Sequence, residues 1–125
     1  MLELKAQKLT PEAFAPFGDV IDARVSESFA INGGRTQRHH DLARVEILDA
    51  PSRPLISLFV SQPVTLPLTL DFLERHPLGS QAFMPLHGER FIVVVAPPGE
   101  AVDPARVRAF VTDGRQGVNY RAGTW

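Results

Sequence analysis

Polar and apolar positions trade places over short distances along most of this chain. Leu42, Val45 and Ile47 stand against Arg44 and Glu46, which predicts a half-exposed strand over 43–48. Phe91 to Ala96 is apolar on both faces and predicts a buried central or interface strand. Further strand-length runs, often β-branched and bounded by Pro, Gly or Asp, fall at 20–22, 55–60, 81–86 and 107–112. His87-Gly88-Glu89-Arg90 reads as a hairpin-like turn, with Gly88 available for positive φ. Only one helix start is signalled: Thr10 as N-cap, Pro11 at the first helical position and Glu12 in the first turn, stopped by Pro16 and Gly18. The expected fold is therefore mainly β, a barrel or sandwich with one short N-terminal helix.

Composition narrows this picture. A length of 125 residues predicts a single domain spanning 1–125, with enough chain to bury a core. Eleven prolines and nine glycines are scattered, so no linker or repeat interrupts it. The absence of cysteine excludes thiolate nucleophiles, Fe–S clusters and zinc fingers, and it points to a reducing compartment with the cytoplasm as default. A net charge of -1 without any basic run argues against nucleic acid as a partner. The N-terminus lacks a signal-peptide pattern, and the longest apolar run, 91–98, falls far short of a membrane span of about 20 residues, so a soluble protein is expected.

Candidate chemistry is concentrated between Leu73 and Gly88. Glu74 and His76 are two apart and leave one face of an extended strand, while Gln81 follows a Pro-Leu-Gly turn that can bring it back alongside them. A carboxylate, an imidazole and an amide on one wall suit acid/base or metal-ligand work. The same alternation turns Arg75 to the opposite face and favours a structural role for it. A second polar concentration runs from Asn32 through Gly33, Gly34 and Arg38 to His39, His40 and Asp41. Asn32 and Arg38 are the candidates there for gripping a carboxylate. The adjacent histidines point to opposite faces if extended and favour structure over catalysis.

Several strings in this chain bring a family into view. Glu74-x-His76, Gln81 and Gly88 form a degenerate version of the cupin motif. The run from Leu73 to Leu86, together with 29–33, 38–48 and 113–125, resembles the ureidoglycolate lyase family, also described as ureidoglycolate hydrolases, from Leu2 to Trp125. The resemblance implies a cupin-type, jelly-roll β-barrel. It implies a homodimer that splits ureidoglycolate into glyoxylate and urea in allantoin (purine) breakdown, with a divalent metal, nickel, in some members. His76 then serves as catalytic base, and Glu74 as acid or ligand. Gln81, Arg38, Asn32 and Arg90 become substrate contacts. A metal, if held, would take His76, Glu74 and Gln81; an amide oxygen is a weak ligand, so Gln81 is either a loose ligand or a hydrogen-bond donor to the substrate.

Two departures qualify the transfer. Phe59 is followed by Val60 where the family resemblance implies, in common members, an arginine, a cation that Arg90 or Arg38 would have to replace. The family resemblance also implies a continuation past this tryptophan with a His-His-Pro stretch, so the expectation is either a C-terminally truncated form with exposed strand edges or a natural short form whose site is completed differently. A noncatalytic carboxylate-binding module and an inactive truncated copy of the enzyme are the alternatives.

Overall fold

A computed structural model describes residues 2–125. Thr10 starts the single α-helix among the described residues, α1 (Pro11–Phe14), as its sequence predicts: the side chain accepts the Ala13 N–H at 3.2 Å, a cap contributing about 1 kcal/mol. Among the described residues the chain forms eight strands, four of them outside the runs that the sequence pattern marks. In one sheet, β1 (Gln7–Lys8) lies parallel to β7 (Arg108–Val111), which is antiparallel to β6 (Ile92–Val95). In the other, β2 (Gly18–Ile21) and β5 (Gln81–Phe83) flank a central β8 (Gly117–Tyr120), both antiparallel to it. The hairpin of β3 (Phe29–Ile31) and β4 (Thr36–Arg38) stands apart from both sheets. The architecture is mainly β, as expected, and among the described residues no sheet closes into a barrel.

The core lies between the two three-stranded sheets. Leu9, Phe14, Phe17, Val93, Val95, Phe110 and Val118 are buried there, with Val20, Phe83, Phe91 and Tyr120 packed against them. The short helix contributes Phe14, the ring at the centre of the aromatic filling. The Phe14 ring meets Phe110 edge-on at 5.5 Å between centroids, Phe17 lies 5.6 Å from Phe14, and Tyr120 and Phe83 pair at 5.4 Å. Such pairs add about 0.5–1.5 kcal/mol each beyond their area. Gly18, at φ +154°, allows β2 to lie close on β8, because a Cβ at that position would collide with the Asn119 carbonyl oxygen.

Several expected elements take another form. The run 43–48 contributes one bridge, Ile47 to Gly79, with Leu48 donating to the Leu78 carbonyl at 2.9 Å and Ser80 to that of Glu46 at 3.1 Å. The run 55–60 forms no strand, since no neighbouring backbone pairs with it. His87 to Arg90 turns as predicted, with Gly88 at φ +75°, but it connects β5 in one sheet to β6 in the other instead of closing a hairpin. β6 is buried as expected at Val93 and Val95, yet it lies at the edge of its sheet; beyond it, Ala96 and Trp125 exchange backbone hydrogen bonds of 3.0 and 3.2 Å. Among the described residues no helix is long and apolar enough to cross a membrane.

Candidate functional site

The stretch that carries Glu74 and His76 has no strand partner. It is held through the residue between them. Arg75 reaches away from its neighbours and donates from Nη1 to the Gly99 carbonyl at 2.7 Å, with its guanidinium 4.9 Å from the centre of the Trp125 ring. The indole Nε1 of Trp125 donates to the same Gly99 carbonyl at 3.2 Å. One residue on, the His76 carbonyl accepts the Gly123 N–H at 2.9 Å. The structural role expected for Arg75 is thus observed. Burial alternates along the stretch: Leu73 and Arg75 are half-buried, Glu74 and His76 exposed. The two candidate catalytic side chains share the outward side, as their spacing predicts.

Gln81 is placed differently. The chain turns at Pro77–Leu78, bridges to 46–48 and enters β5, where Gln81 pairs with Tyr120 of β8. Paired residues on neighbouring strands share a face, so the amide lies beside the Tyr120 ring, on the side that carries Phe83 and Val118. Burial pushes the Tyr120 phenol up to about 12, so it remains a neutral hydrogen-bond donor at neutral pH. Neither the Gln81 amide nor the Tyr120 hydroxyl has a hydrogen-bond partner among the described residues. Tyr120 is the polar neighbour that pattern reading passes over, because Gly117 and Asn119 mask the strand period of β8.

The glycine-rich loop lies on the β3–β4 hairpin. Asn32 turns the chain at φ +54°, followed by Gly33 at +67° and Gly34 at +87°. Arg38 ends β4 with its guanidinium 6.0 Å from the centre of the Phe29 ring. Both are exposed. The hairpin is tied at its base, where Ser26 Oγ and His39 Nδ1 lie 2.8 Å apart, and His40 stacks edge-on against Phe29, so the adjacent histidines do structural work. Arg90 is exposed in the turn before β6. No hydrogen bond or ion pair joins Asn32, Arg38 or Arg90 to Glu74, His76 or Gln81 among the described residues.

Around these candidates, buried polar groups are fully committed. Asn119 Nδ2 donates to Asp19 Oδ2 at 3.1 Å and to the Arg44 carbonyl at 2.9 Å, while Glu46 Oε1 accepts the Ala122 N–H at 2.9 Å. These bonds fasten 44–46 to the β2–β8 side of the molecule. Asp22, also buried, is bound by the Nε and Nη2 of Arg24 at 3.1 and 3.0 Å. Burial alone would raise its carboxyl pKa, but the Arg24 side-chain and backbone hydrogen bonds outweigh that and hold it below the usual value.

A metal does not fit this donor set. Among the described residues no three His, Asp or Glu side chains gather around one point, and no buried side-chain polar atom is left without a partner. Glu74 and His76 are solvent-exposed and Gln81 brings only a weak amide oxygen, so no chemical step is derived through a metal.

Comparison with known proteins supplies what geometry alone does not. The sequence model of the family described as ureidoglycolate lyase matches residues 1–125. A protein named ureidoglycolate lyase from Azotobacter vinelandii is 52% identical over 122 residues, covering 98% of this chain and 74% of that protein. Proteins of the same name from Pseudomonas paraeruginosa and Pseudomonas aeruginosa are each 54% identical over 125 residues, covering 100% of this chain and 74% of theirs. With a match along its whole length and identity of this order, the chain belongs to the ureidoglycolate lyase family.

Proposed function

We propose that this chain is a carbon–nitrogen lyase that cleaves ureidoglycolate to glyoxylate and urea, serving purine breakdown through allantoin in the cytoplasm. The observation that carries this reading is the family match over residues 1–125, together with 54% identity to named ureidoglycolate lyases along the full chain. A cupin-like β fold and a homodimer belong to the same proposal.

The substrate holds a hydroxyl, a carboxylate and a urea nitrogen on one carbon. A base removes the hydroxyl proton, the O–H electron pair becomes the second C–O bond of glyoxylate, and the C–N bond breaks with its pair going to urea. The urea nitrogen then takes up a proton, so the step is redox-neutral and needs only a group that accepts one proton and a group that returns one. His76 is assigned as the base, and its imidazolium is the nearest source of the returning proton. Glu74, on the same exposed side, stabilises that imidazolium or itself donates. Gln81 is assigned as a donor to the substrate, and Arg38, Asn32 and Arg90 as contacts for its carboxylate. The exposed guanidiniums of Arg38 and Arg90 are free to turn toward an anion, in contrast to Arg75, which is committed to Gly99 and Trp125.

The test is release of urea and glyoxylate from ureidoglycolate by the purified chain and by His76→Ala. Turnover by the parent that falls at least about 100-fold in the variant is expected for loss of a general base. A His76→Ala protein with parental kcat removes His76 from the chemistry, and a folded parent without turnover overturns the activity.

A further inference from the structure

The core face of the sheet formed by β2, β8 and β5 ends in a row unlike the one behind it. Register sets Val20, Val118 and Phe83 side by side, all apolar. Two positions on, and on the same face, the row is Gly18, Tyr120 and Gln81. A phenol and an amide thus meet at the edge of the core, and Gly18 adds no side chain beside them. The Tyr120 ring is held by Phe83 at 5.4 Å and by Phe14 at 6.2 Å between centroids, contacts that leave its hydroxyl unengaged by the described residues. The same end of the sheet carries His76. β5 begins at Gln81 and β8 ends at Tyr120; three residues further, the Gly123 N–H donates to the His76 carbonyl at 2.9 Å. Three residues reach at most about 11 Å, and the turn closed by Thr124 N–H on the Arg121 carbonyl at 3.0 Å shortens that span.

Ureidoglycolate offers this row an anionic end and a neutral one. The row holds no cation: Gln81 is an amide, Tyr120 stays a neutral phenol, and the nearest guanidinium along the chain, that of Arg121, donates to the Ala15 and Pro16 carbonyls at 3.2 and 3.3 Å. A carboxylate placed beside the Phe83 ring without a cation would lose its hydration uncompensated. The urea group is neutral, and its carbonyl and terminal amino group present an acceptor and a donor side by side, the complement of a glutamine amide. When the C–N bond breaks, its electron pair passes to the urea nitrogen and is shared with the urea oxygen. A donor aimed at that oxygen strengthens as the bond breaks, so it acts on the transition state more than on the bound substrate.

We propose that Gln81 and Tyr120 form the subsite for the ureido end of the substrate: the Gln81 amide pairs with the urea carbonyl and amino group, and the Tyr120 hydroxyl donates to the urea oxygen. The phenol keeps its proton throughout, and the proton that the urea nitrogen takes up still comes from the His76 imidazolium. This inference rests on the ureidoglycolate-cleaving reading for the identity of the ligand, and it leaves the substrate carboxylate to Arg38, Asn32 and Arg90.

Tyr120→Phe keeps the ring contacts and removes only the donor. With ureidoglycolate its kcat should fall at least about 10-fold while KM moves little, and Gln81→Met should raise KM at least about 10-fold with kcat nearly kept. N-carbamoylglycine lacks the hydroxyl that the cleavage needs, so it tests the subsite without turnover. By calorimetry the parent should bind it at least about 10-fold more tightly than N-acetylglycine, in which a methyl replaces the terminal amino group, and Gln81→Met should lose that preference. No binding of N-carbamoylglycine, equal affinity for the two ligands in the parent, a preference kept in Gln81→Met, or parental kcat in Tyr120→Phe overturns the proposal. So does a Tm lowered by more than about 5 °C in Tyr120→Phe, which would make the hydroxyl a structural group. The two readings fail separately: the ligand preference without turnover refutes the activity alone, and turnover without the preference refutes the subsite alone.

Discussion

Arg75→Ala tests whether one guanidinium holds the candidate catalytic stretch in place. Its bond to the Gly99 carbonyl at 2.7 Å is charge-assisted and contributes about 1.5 kcal/mol, at the low end because the side chain is partly exposed. Stacking over the Trp125 ring at 4.9 Å adds about 0.5–1 kcal/mol. The Glu100 carboxylate is fully exposed and 3.8 Å away, so that ion pair adds nothing measurable. The total is about 2 kcal/mol, most of it local, because the stretch shares no strand with either sheet. Gly123 N–H, which donates to the His76 carbonyl at 2.9 Å, reports on it directly. In Arg75→Ala its hydrogen exchange should quicken by about 30-fold, the equivalent of 2 kcal/mol in local opening. Glu100→Ala should leave it unchanged. Arg75→Lys should recover little, since an ammonium neither stacks flat on the indole nor keeps the planar fork. Unchanged Gly123 protection in Arg75→Ala would refute the reasoning and leave the position of His76 to the backbone alone.

Two further outcomes follow from the core and its buried charge. The folded-state pKa of Asp22 is lowered, so its contribution to stability is present in full above the unfolded value of about 3.9 and is lost as pH falls below it toward the folded value. Denaturant unfolding from pH 6 to 2.5 should show that loss in the parent and a flatter profile in Asp22→Asn, which an identical slope in both would contradict. Gly18→Ala should cost about 3 kcal/mol and lower Tm by about 12 °C, because the new Cβ collides with the Asn119 carbonyl oxygen across β2 and β8. A Tm within 2 °C of the parent in a thermal scan would show that the strands separate at little cost.

Local chemistry was legible in the residues themselves. Thr10, Pro11 and Glu12 announced α1 because a cap, a proline at the first helical position and an acidic first turn act on backbone groups within four residues of one another. Spacing by two put Glu74 and His76 on one side and Arg75 on the other, since alternation in an extended chain is a property of the backbone. Family membership was legible too, because the distinctive strings run along the whole chain.

What the tertiary structure decided was pairing. The strand pattern at 55–60 is as clear as that at 107–112, yet only the second found partners, in β1 and β6. β8, central to its sheet, shows no readable period because Gly117 is selected by a close approach to Phe83 and Met84, and Asn119 by a polar knot with Asp19 and Arg44. Gln81 pairs across its sheet with Tyr120, a partner thirty-nine positions away that no local rule connects to it. Periodicity states which face of a segment is apolar; which other segment covers that face depends on long-range contacts.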